Sequence, residues 1–314
     1  MLRLPTVSGN ASLTPISRPR RPVDGVLLLD KPSGITSNAA LSLVKRSFNA
    51  EKAGHTGTLD PLASGLLPIC LGSATRFAQF LLDAPKRYIA TVRFGATTTT
   101  QDAEGVIVAT RSVDCARGDV EGALERFTGR LMQTPPAHSA LKFEGRPLYE
   151  YARRGIDVPR TPREVVIEAL RLLQWQPPDA TIDIECSKGT YVRALAADLG
   201  EALGCGAHLA ALRRTASGGF DVRDALAFDA LDAMDDAARD ARLEPIAVLV
   251  AHLPALAIEG DAARRFRHGG AVPAGTHGNG LVAAYEAQVL LGIAEVADGI
   301  ARPRRTIAPA LARP

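Results

Sequence analysis

The sequence predicts an α+β protein with a small β-rich C-terminal part, and three observations carry that expectation. Strand-like segments outnumber helical ones, and the two do not alternate strictly, which disfavours a doubly wound parallel sheet. Composition changes after Glu244-Pro245. From there to residue 314, short apolar runs such as Val289 to Ile293 are separated by Gly269-Gly270, Gly275, Gly278 and Gly280, as in a small β-rich domain. The length of 314 residues permits two domains, and 46% hydrophobic with 23% charged residues suffices for a core without staples.

Residues 1–23 carry Arg3, Arg18, Arg20 and Arg21 among prolines and serines with no periodic apolar pattern, so a flexible basic tail is expected there. Val26 to Leu29 is a short apolar strand. It runs into the turn-rich Asp30-Lys31-Pro32-Ser33-Gly34, after which Ser37 is placed as N-cap of a helix through Ser47. Ala53 to Ser64 is too irregular for either period and reads as a loop. Gly65 to Leu71 is a buried strand and Ala74 to Leu82 a short helix. Further strands are expected at 86–95, 105–110, 164–174 and 180–186, and helices near 119–128, 147–154 and 191–203. The alanine-rich, acidic 224–240 stretch reads as one amphipathic helix. The domain boundary is placed at 244/245.

Cys70, Cys115, Cys186 and Cys205 are widely separated, with no C-x-x-C pair and no Cys/His cluster, which argues against a disulfide scaffold and a metal site. The first 22 residues lack the apolar core of an export signal, and the longest apolar run, Ile246 to Ile258, is interrupted by His252 and Pro254. A cytoplasmic protein without a membrane span is expected. The net charge of +3 is compatible with a polyanionic partner but does not demonstrate one. Basic pairs at 45, 86, 153, 213, 264 and 304, taken singly, are solvated surface.

The most informative segment is GHTGTLDPLASG at 54–65. It sets one carboxylate, Asp60, before a proline and between glycines, where backbone approaches a ligand closely. An Asp-Pro pair alone is a turn, and a lone His55 is a surface or turn residue.

That segment extends to GHTGTLDPLASGLLPICLG, preceded by GVLLLDKPSGITS and followed by KRYIATVRFG. Together with PPAHSALKFEGRPLYEYARRG at 135–155 and SKGTYVRALAADLGEALGCGAHLAALRRTASGGF at 187–220, it resembles the bacterial tRNA pseudouridine-55 synthases of the TruB family. The resemblance runs in order through nearly all of 25–220. It implies a mixed, largely antiparallel sheet with flanking helices over 24–244, including an RNA-binding insertion at about 131–160, and a PUA-like RNA-binding domain at 245–314. FRHGGAVPAG and LLGIAEVADG are the C-terminal signals. The reaction it implies detaches uracil from C1′ of uridine-55 in the T-loop and rejoins it through C5. No redox change, group donor, cofactor, metal or obligatory protein partner is called for; the partner is the T-arm stem-loop of tRNA.

The resemblance also assigns roles. Asp60 is the essential aspartate, as nucleophile on C1′ or base at C2′. Arg193 pairs with it, Tyr88 and Tyr191 line the uracil pocket, Leu212 closes it, and Lys31 borders it. His55 matches a residue that inserts where the target base has flipped out of its stack. Many relatives carry an aromatic residue near position 138, where this chain has His138. A noncatalytic RNA-binding factor would lack Asp60 or the pocket tyrosines, all of which are present; a nucleoside hydrolase would release uracil.

Overall fold

A computed structural model of the chain describes residues 19–307. Its larger part is a ten-stranded mixed sheet. Along the main path the strands run Leu226–Ala227, Gly25–Lys31, Ser64–Leu71, Ala207–Ser217, Lys86–Phe94, Asp179–Cys186, Arg163–Gln176 and Gly129–Gln133. Pairing is parallel only where Gly25–Lys31 meets Leu226–Ala227 and where Ser64–Leu71 meets Ala207–Ser217. The expected α+β class, with a largely antiparallel sheet, holds.

Gly25–Lys31 is apolar on both faces because both are covered. Leu27 and Leu29 point into one cluster with Val44, Leu195 and Leu199, from the helices Ser37–Ser47 and Val192–Ala202. Val26 and Leu28 point the other way, onto Phe77, Leu249, Val250 and Ile293. That second cluster joins the large sheet to a five-stranded one whose edge strands are Ala255–Ala257 and Val272–Pro273. The helix Gly260–Arg267 inserts Ala263 and Phe266 into the small sheet's own core. Glu244 still belongs to the large sheet, exchanging both backbone hydrogen bonds with Val26.

Several expectations are corrected. The tail reading lies outside the described residues over 1–18, but further on Val23 is buried and Arg21 pairs with Asp240 through bonds of 2.6 and 2.7 Å. The N-cap is Thr36, whose hydroxyl accepts from the Ala39 N–H; Ser37 is already helical and its hydroxyl is used elsewhere. Ala53–His55 is a short strand paired with Ile69–Leu71, rather than loop. The 74–82 helix divides into a 3-10 turn, Gly72–Arg76, and a single turn, Ala78–Leu82. The 224–240 helix breaks into Phe228–Ala233 and Asp236–Asp240 because Met234 is extended and Asp235 caps a new start by accepting from Ala238 N–H. Alanine content favours helix, but two extended residues and a fresh cap override it.

The central strand Ala207–Ser217 was not expected at all. AHLAALRRTAS lacks alternation and has Thr215 as its one β-branched residue, so local pattern gives little strand signal. Partners on both sides impose it, and register shifts at 209–211 and 214–216 absorb the misfit with the Lys86–Phe94 strand.

Candidate active site

Asp60 is presented by a loop tied down at several points. Ser37 Oγ accepts from Leu59 N–H at 2.8 Å and donates to Leu59 C=O at 2.9 Å, while Leu59 itself is buried in the core. Gly34 N–H donates to Pro61 C=O at 2.8 Å, Ser33 Oγ to Leu62 C=O at 2.8 Å, and Ala63 N–H to Asp60 C=O at 3.1 Å. Gly57, at φ +119°, supplies the turn that leads the chain from the Ala53–His55 strand into this loop. The DKPSG turn therefore braces the TGTLDP loop rather than standing apart from it.

Arg193 lies in the first turn of Val192–Ala202, its side chain 5% exposed against 35% for Asp60. Its Nε meets Asp60 Oδ2 at 2.9 Å and its Nη2 meets Oδ1 at 3.3 Å. The same guanidinium donates to Thr100 C=O at 3.3 Å and His138 C=O at 3.0 Å, and stands 3.5 Å from Asp102 Oδ2. Five contacts thus fix its plane. Asp60 has its pKa raised above the ordinary carboxylate value, chiefly by burial, against the pull of Arg193.

Above the pair is a cavity of about 340 Å³, bordered by Asp60, Tyr88, Tyr191, Arg193, Leu212 and Arg214. Tyr191 is fixed by Gln133, whose side chain accepts from its N–H at 2.7 Å and donates to its C=O at 3.1 Å. Burial pushes the Tyr88 phenol up, and Arg214 pulls it back. Ser139, Ala140 and Leu141 close one side, so the segment expected to touch RNA also walls the site.

Asp60, Arg193, Tyr88, Tyr191 and Leu212 are therefore brought together as expected. Lys31 and His55 do not border the cavity. Lys31 is fully buried, donating to Pro32 C=O at 2.8 Å and Ile35 C=O at 2.7 Å, and burial pushes its pKa down to about 8. His55 is half-buried, its Nδ1 has no hydrogen-bond partner among the described residues, and burial lowers its pKa. His138 contributes its carbonyl, a role indifferent to the side chain found there.

Sequence reasoning missed Asp102, buried and bound by Thr100 Oγ1 and Glu104 N–H, because QDAEG reads as an ordinary turn. It also took the pairs at 86 and 213 for solvated surface, whereas Lys86 and Arg214 are both buried. The Lys86 ammonium caps the chain end after Ala78–Leu82 by donating to three carbonyls, and burial lowers its pKa to about 8. No helix among the described residues is long and apolar enough to cross a membrane.

Comparison with known proteins gives a consistent picture. Residues 45–192 match the TruB family pseudouridylate synthase N-terminal domain, 193–251 the tRNA pseudouridylate synthase B C-terminal domain, and 254–307 the C-terminal domain of pseudouridine synthase II TruB. A tRNA pseudouridine synthase B of Thiobacillus denitrificans is 54% identical over 290 residues, covering 92% of this chain and 97% of its own. A protein of the same name from Burkholderia lata is 53% identical over 299 residues, with 93% and 92% covered. Among solved structures, a Cbf5-Nop10-Gar1 complex aligns with a TM-score of 0.68 at 30% identity, covering 87% of this chain and 78% of the other. An H/ACA RNP bound to a substrate RNA containing 2′-deoxyuridine aligns with a TM-score of 0.68 at 27% identity, covering 91% and 85%.

Proposed function

This chain belongs to the TruB family of pseudouridylate synthases, isomerases acting on tRNA, and on that premise we propose that it converts uridine-55 in the T-loop of tRNA to pseudouridine, with Asp60 initiating cleavage of the glycosidic bond. One observation carries this reading. A partly shielded carboxylate is held by two guanidinium bonds at the edge of a cavity lined by two tyrosines.

The chemistry follows from that arrangement. Arg193 favours the ionised form of Asp60, against the burial that raises its pKa. Two routes use the same carboxylate: attack on C1′, or removal of the C2′ proton. In both, the C1′–N1 bond breaks, the ring turns and C5 bonds to C1′, displacing the Asp60 carboxylate in the first route and with the C2′ proton returned by Asp60 in the second; the proton lost from C5 is balanced by one gained at N1. Tyr88 stacks on the base, and Tyr191 and Leu212 confine it so that the detached ring stays beside the sugar.

The uridine is stacked within the T-loop and must flip out to reach Asp60, at a cost of about a few kcal/mol. His55, on the strand leading into the Asp60 loop, fills the vacated position. Phosphate contacts come from exposed basic residues, including the pairs Arg264-Arg265 and Arg304-Arg305 on the C-terminal domain. A cytoplasmic location accords with action on tRNA.

Incubation with unmodified tRNA followed by mapping of pseudouridine tests the reading. Conversion at position 55 is expected. No conversion of correctly folded tRNA, or release of free uracil, would overturn it.

A further inference from the structure

Two guanidinium groups border the cavity, and their surroundings differ in sign. Arg193 faces two carboxylates, Asp60 and Asp102. Arg214 faces none among the described residues. It is 1% exposed, and its hydrogen bonds run to main-chain carbonyls, from Nε to Leu66 at 2.7 Å and from Nη2 to Gly57 at 3.2 Å. Its neighbour Arg213, by contrast, is paired through two bonds with Asp30. A buried cation without a counter-ion is costly, and sites that retain one commonly meet an anion there during function.

The backbone is shaped to place it. Arg214 sits between Tyr88 on one neighbouring strand and Gly65 on the other. Gly65 has φ +102°, and a Cβ there would lie 2.3 Å from the Arg214 carbonyl oxygen, so only glycine permits this approach. Arg214 lines the cavity together with Tyr88, its cross-strand partner, whose phenol it pulls down against burial.

We propose that Arg214 stabilises the negative charge that the uracil ring carries while it is detached from the sugar; the proposal rests on the pseudouridine synthase reading above. By either route at Asp60, the electron pair of the broken C1′–N1 bond stays with the base. The resulting uracil anion shares its charge among N1, O2 and O4. When C5 forms its bond to C1′ and loses its proton, and N1 gains one, the ring is neutral again and Arg214 is unchanged. A cation already desolvated and fixed by two carbonyls lowers the energy of that anion without reorganising. Arg193 thus serves the sugar side of the cleavage and Arg214 the base side.

The test uses full-length enzyme and a T-arm stem-loop carrying uridine or 5-fluorouridine, a more acidic base, at the target position. Arg214→Gln and Arg214→Lys are first checked for fold by circular dichroism and melting. Under single turnover Arg214→Gln should lose about 100-fold or more in glycosidic cleavage of uridine, with RNA affinity within about threefold of wild type. Arg214→Lys, which keeps the charge, should lose less. On 5-fluorouridine the Arg214→Gln defect should shrink about tenfold, because a more acidic base needs less help in leaving. Equal defects on the two bases, or a near-normal rate in folded Arg214→Gln, would overturn the proposal. Were both variants unfolded, wild-type enzyme decides: cleavage rates within about threefold for the two bases support a site already stabilising the anion, and an advantage above about tenfold for the fluorinated base contradicts it. Failure of the wild type to act on uridine would instead sink the functional reading itself.

Discussion

Arg193 holds two carboxylates apart, so replacing it with methionine keeps most of the volume and leaves Asp60 and Asp102 facing each other without a cation. Asp102 is the heavier liability: its side chain is 4% exposed, whereas Asp60, at 35%, is partly screened by water. Breaking a buried pair by removing one partner costs about 3–5 kcal/mol, and the screened half at Asp60 puts Arg193→Met near the lower end. Asp102→Asn in the same chain removes the buried unpaired charge and should recover about 1–2 kcal/mol, so the double variant is more stable than the sum of the singles. Urea unfolding followed by circular dichroism gives all four corners of the cycle. A second readout separates electrostatics from packing. Asp60 already titrates high because of burial, with Arg193 opposing that rise, so activity needing ionised Asp60 falls as pH drops, and in Arg193→Met this acid limb moves to higher pH. Singles that add to within about 0.5 kcal/mol, together with an unmoved acid limb, would refute the three-residue network.

Gly65→Ala should cost about 3 kcal/mol or prevent folding, since its Cβ meets the Arg214 carbonyl at 2.3 Å on a backbone at φ +102°; urea midpoints compared with Gly34→Ala, a positive-φ site with open space, isolate the clash. Asp183, its side chain 5% exposed, is bound by Arg87 and Arg171, which hold its pKa below the usual value. Its contribution is therefore present above the unfolded carboxylate pKa of about 4 and lost as pH falls through the lowered folded value, so the stability gap between wild type and Asp183→Asn should close on acidification. His55→Ala should slow conversion of folded T-arm RNA more than that of RNA whose target base is already unstacked, as single-turnover rates on the two substrates will report; equal slowing would assign His55 a different role.

What local sequence conveys here is the presence of elements with strong patterns and the importance of the Asp60 loop. GVLLLDK is apolar enough to be an interior strand, and SNAALSLVKRS carries a helical stripe with a cap one residue earlier than expected. The motif around Asp60 also matches a family over most of the chain, which names the pocket residues that isolated side chains could not. What stays hidden is set by long-range packing. The strand holding Leu212 and Arg214 has the composition of a helix, and Arg214 is buried only because Gly65 admits its backbone. Asp102 acquires meaning only when the turn after Ala96–Thr98 folds beneath Arg193, a contact between residues 91 positions apart in sequence.

The central claim is that Asp60 starts glycosidic cleavage. Asp60→Asn preserves size and removes the negative charge, while phosphate contacts reside on other, basic residues, so RNA binding should remain within about threefold of wild type. The direct measurement is the single-turnover rate of pseudouridine formation on unmodified tRNA by folded Asp60→Asn enzyme at saturating concentration. No detectable product is expected. A rate near that of the wild type would exclude Asp60 as nucleophile and as base, and with it the mechanism.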